Sequence, residues 1–177
     1  MTPRNAPAIE TERLILRAFR AGDLDQLVAM WSDPEVIRYL GGQPLNREDT
    51  WRRSLAACGQ WPFVGYGYWV VELKDSGEVV GQLGFADFKR AMQPSIEGEP
   101  EFGYVFVASV HGRGIAREAC AAALEWADQT LQTDSYPAII SPENQASIRL
   151  AERLGFKRLP DGTYRGETIA LFRRTRP

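Results

Sequence analysis

"VHGRGIAREA", Val110 to Ala119, sets two glycines, two arginines and the chain's one histidine at the head of an alanine-rich run. Before it, "EFGYVFVA" reads as a strand; after it, "GRGIAREACAAALEWADQTL" places Ala119, Ala122, Ala123, Trp126 and Ala127 on overlapping helical turns. A strand, a tight loop and the first turn of a long helix bring free backbone N–H groups and the positive end of a helix dipole to one point, which suits a phosphate. Gly112 and Gly114 let an anion approach the backbone without a Cβ in the way, and Arg113 and Arg117 add charge beside it. The same residues also read as a plain glycine-rich turn with solvated arginines. With 16 glycines in the chain, about 1.4 Gly-x-Gly triplets are expected by chance. Gly65-Tyr66-Gly67 is a second one, read as a turn that leads into a strand. Neither the third glycine of a dinucleotide fingerprint nor the Gly-Lys-Ser of a Walker loop is present.

Outward from this motif, "IETERLILRAF" (Ile9 to Phe19) alternates Leu14 and Leu16 against Arg13, Ile15 and Arg17, a strand with one wetter face. "AGDLDQLVAMWSDPEVIRYL" makes two short helices, the second starting at Asp33 with Pro34 in its first turn. "LNREDTWRRSLAACGQW" makes a third, capped by Asn46, with Trp51, Leu55 and Ala56 as its apolar stripe and an end at Gly59. "YWVVEL" and "EVVGQLGFADFK" form a hairpin around Asp75 to Gly77. Ala91 to Pro100 is a loop; "YPAIIS", "ENQASIRLAERLGF" and "YRGETIALFRR" complete the chain as strand, helix and strand. The order predicts one α/β (α+β) domain over residues 1–177, with a mixed, mostly antiparallel sheet of six to seven strands and helices on both faces.

Composition narrows the partners. A chain of 177 residues with 44% hydrophobic residues and a net charge of −2 has room for one core and no long basic run, so nucleic acid is not an expected partner. Two cysteines, Cys58 and Cys120, and one histidine cannot assemble the usual zinc ligand set, and they suit a reducing cytoplasm. Charges at Arg4, Glu10, Glu12 and Arg13 argue against a leader, and no apolar run approaches a membrane span.

Together, "YVFVASVHGRGIAREA" and, some thirty residues on, "NQASIRLAERLGF" resemble the GCN5-related N-acetyltransferase (GNAT) superfamily. Within it, "TERLILRAF", "DLDQLVAMWSDPEVIRYL" and the last strand are similar to the branch of ribosomal-protein N-terminal (alanine) acetyltransferases. The resemblance implies acetyl-CoA as donor, its pyrophosphate held by Gly112, Arg113, Gly114, Ile115 and Ala116, with Arg117 beside them. His111 departs from the Gln or Arg more usual there. It implies further that Phe106 and Val107 offer backbone groups to the acetyl carbonyl and the pantetheine arm, at a typical value of about 3 kcal/mol per oxyanion donor. Asn144 would contact the pantetheine arm and Ser147 would protonate the leaving thiolate; both also read as helix-capping residues. No tyrosine stands in that helix.

The resemblance gives Glu101 the role of general base, which also reads as a strand-edge carboxylate. An α-amine with pKa near 8 is about a tenth neutral at pH 7, whereas a free lysine lies about 3.4 pH units away, or about 4.6 kcal/mol. A carboxylate acting through water serves the first more readily. Phe102, Tyr104, Trp31 and Trp69 read as packing residues, and Cys120 as a small core residue. The expected activity is direct acetyl transfer to a primary amine, on a protein N-terminus or a small molecule, by a chain that is a candidate homodimer. The alternative is a non-catalytic acyl-CoA sensor with the same cradle.

Overall fold

Leu14 and Leu16 project to one side of an extended chain because side chains alternate along it, and both are fully buried in the computed structural model, which describes residues 5–177. Arg4 lies outside those residues. In chain order the elements are β1 (Ile9–Glu10), β2 (Leu14–Arg17), α1 (Leu24–Ser32), α2 (Pro34–Ile37), α3 (Arg47–Val64), β3 (Tyr68–Leu73), β4 (Val79–Ala86), β5 (Met92–Gln93), β6 (Glu101–Phe106), α4 (Ile115–Thr130), β7 (Ser135–Ile140), α5 (Gln145–Arg153), β8 (Lys157–Arg158), β9 (Gly162–Tyr164) and β10 (Glu167–Thr175). The wetter side of β2 is drier than its sequence implies. Arg17 is buried because its guanidinium holds both oxygens of Asp23, at 2.9 and 2.8 Å, and Glu72 at 2.6 Å.

The expected α/β architecture forms, with its strands divided between two antiparallel sheets instead of joined in one. The first runs β1-β2-β3-β4-β6 and the second β5-β9-β10-β7, with β8 added against β10. The sheets meet where β6 and β7 lie side by side without sharing a ladder. On one face of the first sheet, α4 and α5 bury Leu14, Leu83, Phe102 and Phe106 in the main core. On the other, α1 and α2 close over Val70, Val79 and Val105, with Trp31 buried among them as expected.

Helix α3 differs from its sequence reading. It buries Thr50, Ser54 and Trp61, and leaves Trp51 and Leu55 exposed. The small hydroxyl residues can face inward because each satisfies itself within the helix: Thr50 Oγ1 donates to the Asn46 carbonyl at 2.8 Å and Ser54 Oγ to that of Thr50 at 2.9 Å. The helix also passes Gly59 and stops at Gly65, which takes the left-handed conformation at φ 82° and donates its N–H to the Trp61 carbonyl at 3.0 Å. A Cβ at Gly67 would stand 2.6 Å from the Trp61 indole nitrogen. The second Gly-x-Gly is therefore a helix stop followed by a packing contact, in keeping with its reading as a turn.

Candidate acyl-transfer site

Val107 donates its N–H to the Val80 carbonyl at 2.9 Å. Alternation along an antiparallel strand then turns the N–H and C=O of Phe106 to the opposite edge of β6, where β7 lies and the two sheets part. The Phe106 carbonyl meets His111 Nε2 at 3.3 Å, and its N–H is the donor directed into the opening. Val107 is placed differently: its N–H belongs to the β4 ladder and its carbonyl accepts from Val110 N–H at 3.3 Å.

The motif past β6 has the geometry an anion site needs. Gly112 and Gly114 both have left-handed backbones, φ 73° and 76°, which side-chain-bearing residues avoid. The turn they make lifts the chain onto the N-terminus of α4, a helix of 16 residues. The first-turn N–H groups of Ile115, Ala116 and Arg117 have no carbonyl one turn earlier in the helix to bond. The Ile115 side chain, 1% exposed, anchors the turn in the core, while Gly112, Arg113, Gly114 and Arg117 are exposed. A Cβ at Gly112 would meet nothing within 4 Å, so open space lies over the turn. Converging N–H groups, a helix dipole, two guanidinium groups and that space fit a pyrophosphate.

Arg13 braces this loop, a role that its place in a strand pattern does not reveal. Its Nη1 donates to the Arg113 carbonyl at 2.9 Å, its Nε to Glu118 at 2.6 Å, and Thr11 Oγ1 holds the same carboxylate at 2.6 Å. Burial pushes the Glu118 carboxyl up, but the hydrogen bonds from Thr11 and Arg13 prevail and hold it below its ordinary value. The brace is therefore complete above the usual carboxylate range and lost as pH falls through the lowered value. Arg13→Ala is expected to weaken CoA binding about three- to tenfold, the value of one charge-assisted hydrogen bond near the surface, with little change in melting temperature. Titration calorimetry against CoA measures it.

Residues of β6 and α5 complete the site. Asn144 caps α5, its Oδ1 accepting from Ser147 N–H at 3.1 Å, so the capping reading holds for Asn144 and the helix presents Ser147 in its first turn. Ser147 Oγ donates to Tyr104 Oη at 2.8 Å, and Tyr104 Oη donates to the Ser147 carbonyl at 3.0 Å. The Tyr104 hydroxyl thus adds polar contacts to the packing role that the sequence suggests for its ring. Glu101 lies on the opposite face of β6, 5% exposed, and Arg90 holds both its oxygens, at 2.7 and 3.0 Å. Burial pushes the Glu101 carboxyl up against the pull of Arg90, and it stands above the ordinary carboxylate value. The Tyr68 ring crosses the sheet to the same region, for a Cβ at Gly103 would stand 2.3 Å from its hydroxyl.

A glycine turn into a helix start beside parted antiparallel sheets, with hydroxyl groups on one face of the parting strand and a carboxylate on the other, fits an acyl-CoA-dependent transferase. The chain belongs to the GNAT acetyltransferase family: the family model described as "Acetyltransferase (GNAT) domain" matches residues 13–157. It is 33% identical over 148 residues to the uncharacterized protein YkkB of Bacillus subtilis (strain 168), covering 82% of each chain. It is 30% identical to the uncharacterized N-acetyltransferase p20 of Bacillus licheniformis, covering 84% of this chain and 81% of p20. A solved structure described as a GnaT-family acetyltransferase from Bordetella pertussis superposes with a TM-score of 0.83 at 30% identity, covering 96% of this chain and 99% of that one. The fold is shared at lower identity, 17%, by a spermidine N-acetyltransferase from Vibrio cholerae solved with CoA and spermine, with a TM-score of 0.72 and coverage of 94% and 97%. Among the described residues no group of three or more His, Cys, Asp or Glu gathers as for a metal, and no helix is long and apolar enough to cross a membrane.

Proposed function

We propose that this chain transfers acetyl from acetyl-CoA to a primary amine by direct attack. The observation that carries the proposal is the division of roles across β6: the cradle, Phe106, Tyr104 and Ser147 serve the thioester side, and Glu101 faces the side covered by α1 and α2. In this reading Gly112 to Arg117 hold the pyrophosphate, with His111 at the edge of the loop. The carboxamide nitrogen of Asn144 meets the pantetheine arm, and the Phe106 N–H stabilises the carbonyl oxygen as it gains charge. Glu101 draws the proton from the attacking amine, directly or through water, and Ser147 supplies one to sulfur. Cys120 is fully buried, and burial pushes its thiol far up, which keeps it protonated and supports a route without an acyl-enzyme.

The acceptor enters from the Glu101 side. There Arg53 stacks its guanidinium over Trp31, 4.1 Å from the ring centroid, within electrostatic range of Arg90. With Arg90 neutralised by Glu101, the Arg53 guanidinium is the positive charge left there, and it favours a single α-amine, with a pKa close to working pH, over a polycation. A screen that follows thiol release from acetyl-CoA is expected to show faster turnover with peptide N-termini or small monoamines than with spermidine. A preference for spermidine would overturn the acceptor assignment. A second reading, an acyl-CoA sensor without turnover, is favoured by the Arg90 clamp, because an ion-paired carboxylate is a weaker base. CoA binding with no acceptor-dependent thiol release in that screen would establish it.

A further inference from the structure

Two hydroxyl groups meet on the thioester side of β6, and the proposed function uses only one of them. Ser147 projects from the first turn of α5 and Tyr104 from β6, 43 residues earlier in the chain, with 2.8 Å between their oxygens. Tyr104 and Phe106 share a face of the strand, roughly 7 Å apart along it, so the pair lies beside the backbone donor aimed at the acetyl group. An aliphatic hydroxyl alone is a weak acid for a leaving thiolate. A phenol hydrogen-bonded to it offers a second proton and stabilises the oxygen that has given up the first.

We propose that Tyr104 is a positioning residue for proton delivery: it holds the Ser147 hydroxyl in place and replaces its proton when Ser147 protonates the departing sulfur. This rests on the assignment of Ser147 as the acid. The step balances. The amine nitrogen bonds to the acetyl carbon as the carbon–sulfur bond breaks, and the Ser147 proton goes to sulfur. The Tyr104 proton, turned from the Ser147 carbonyl toward Ser147 Oγ, goes to that oxygen, and solvent returns one to Tyr104 while the amine's proton leaves through Glu101. In the resting arrangement Ser147 Oγ donates to Tyr104 Oη, so delivery needs one rotation at each hydroxyl and no backbone movement. Burial pushes the Tyr104 phenol well above its ordinary value, so it stays protonated at neutral pH and is a weaker acid than a free phenol; its proton moves only once Ser147 Oγ has become the stronger base by giving up its own.

The test is a double-mutant cycle of Tyr104→Phe and Ser147→Ala. Phenylalanine keeps the ring that packs against Phe102, with centroids 5.7 Å apart, so the fold is retained, and thermal melting checks it. Tyr104→Phe is expected to lower kcat about tenfold while KM and Kd for CoA stay within about twofold. Added to Ser147→Ala it should cost nothing further, because it acts through that hydroxyl. The solvent deuterium isotope effect on kcat should shrink in Tyr104→Phe. Losses that add in the double variant, or that fall on KM or melting alone, would make Tyr104 a packing residue. An unchanged kcat in Tyr104→Phe with a reduced one in Ser147→Ala overturns the relay and leaves the acid assignment standing; unchanged kcat in both overturns the two together.

Discussion

Replacing Glu101 by glutamine is expected to lower kcat/KM by about 10²- to 10⁴-fold, the range a positioned general base contributes. Glutamine keeps the shape and can still accept from Arg90, but it takes up no proton. The pH profile separates this from simple damage. Because burial holds the Glu101 carboxyl above the ordinary carboxylate value, the wild-type rate should climb as pH rises through that raised value, and this limb should vanish in Glu101→Gln. Removing one member of a buried pair also leaves a partly buried guanidinium unpaired, a cost on the order of 3 kcal/mol or more in stability. CoA affinity, read at a temperature below both melting transitions, should stay within about twofold, since the cradle lies past the other end of β6. A glutamine variant with near-normal kcat/KM would make the Arg90–Glu101 pair purely structural and move the base elsewhere.

Gly114→Asp should abolish measurable CoA binding, with a loss of about a hundredfold or more. Two effects combine. A side chain at φ 76° strains the backbone by roughly 1–2 kcal/mol, and a carboxylate in a cradle of N–H groups competes for the donors that would hold the pyrophosphate and repels its charge. Each decade of affinity corresponds to about 1.4 kcal/mol. Gly112→Ala is the control: its Cβ meets open space, so it carries the strain without the charge and should weaken CoA much less. Gly114 is exposed, and the fold should survive both changes. Unchanged calorimetric affinity in Gly114→Asp would place the anion site somewhere else.

The features legible in the sequence are those settled within a few residues. The left-handed turn at Gly112 and Gly114, the long alanine-rich α4, the Asn144 cap and the β3–β4 hairpin each depend on neighbours in the chain, and each appears where the residues point to it. The resemblance to acetyltransferases reads through the same two stretches, "VHGRGIAREA" and "NQASIRLAERLGF", because the backbone turn and the helix cap they encode are local devices. Helix α3 shows where that logic stops. Large apolar residues suggest Trp51 and Leu55 as its buried stripe, yet close packing prefers Thr50 and Ser54, whose hydroxyl groups bond their own helix.

By itself, then, the sequence determined the longer elements, the glycine turn into α4 and the family, since period, capping and glycine conformation act over one or two turns of chain. Tertiary structure alone decided where the sheets part and which groups meet there. The ladder bond from Val107 to Val80 assigns the open edge to Phe106. Arg13 reaches Glu118 across 105 residues and Tyr104 reaches Ser147 across 43, and Arg90 closes on Glu101 from the preceding loop. Such pairs leave no periodic trace, because nothing in the spacing of two distant residues records the packing that brings them within hydrogen-bonding distance.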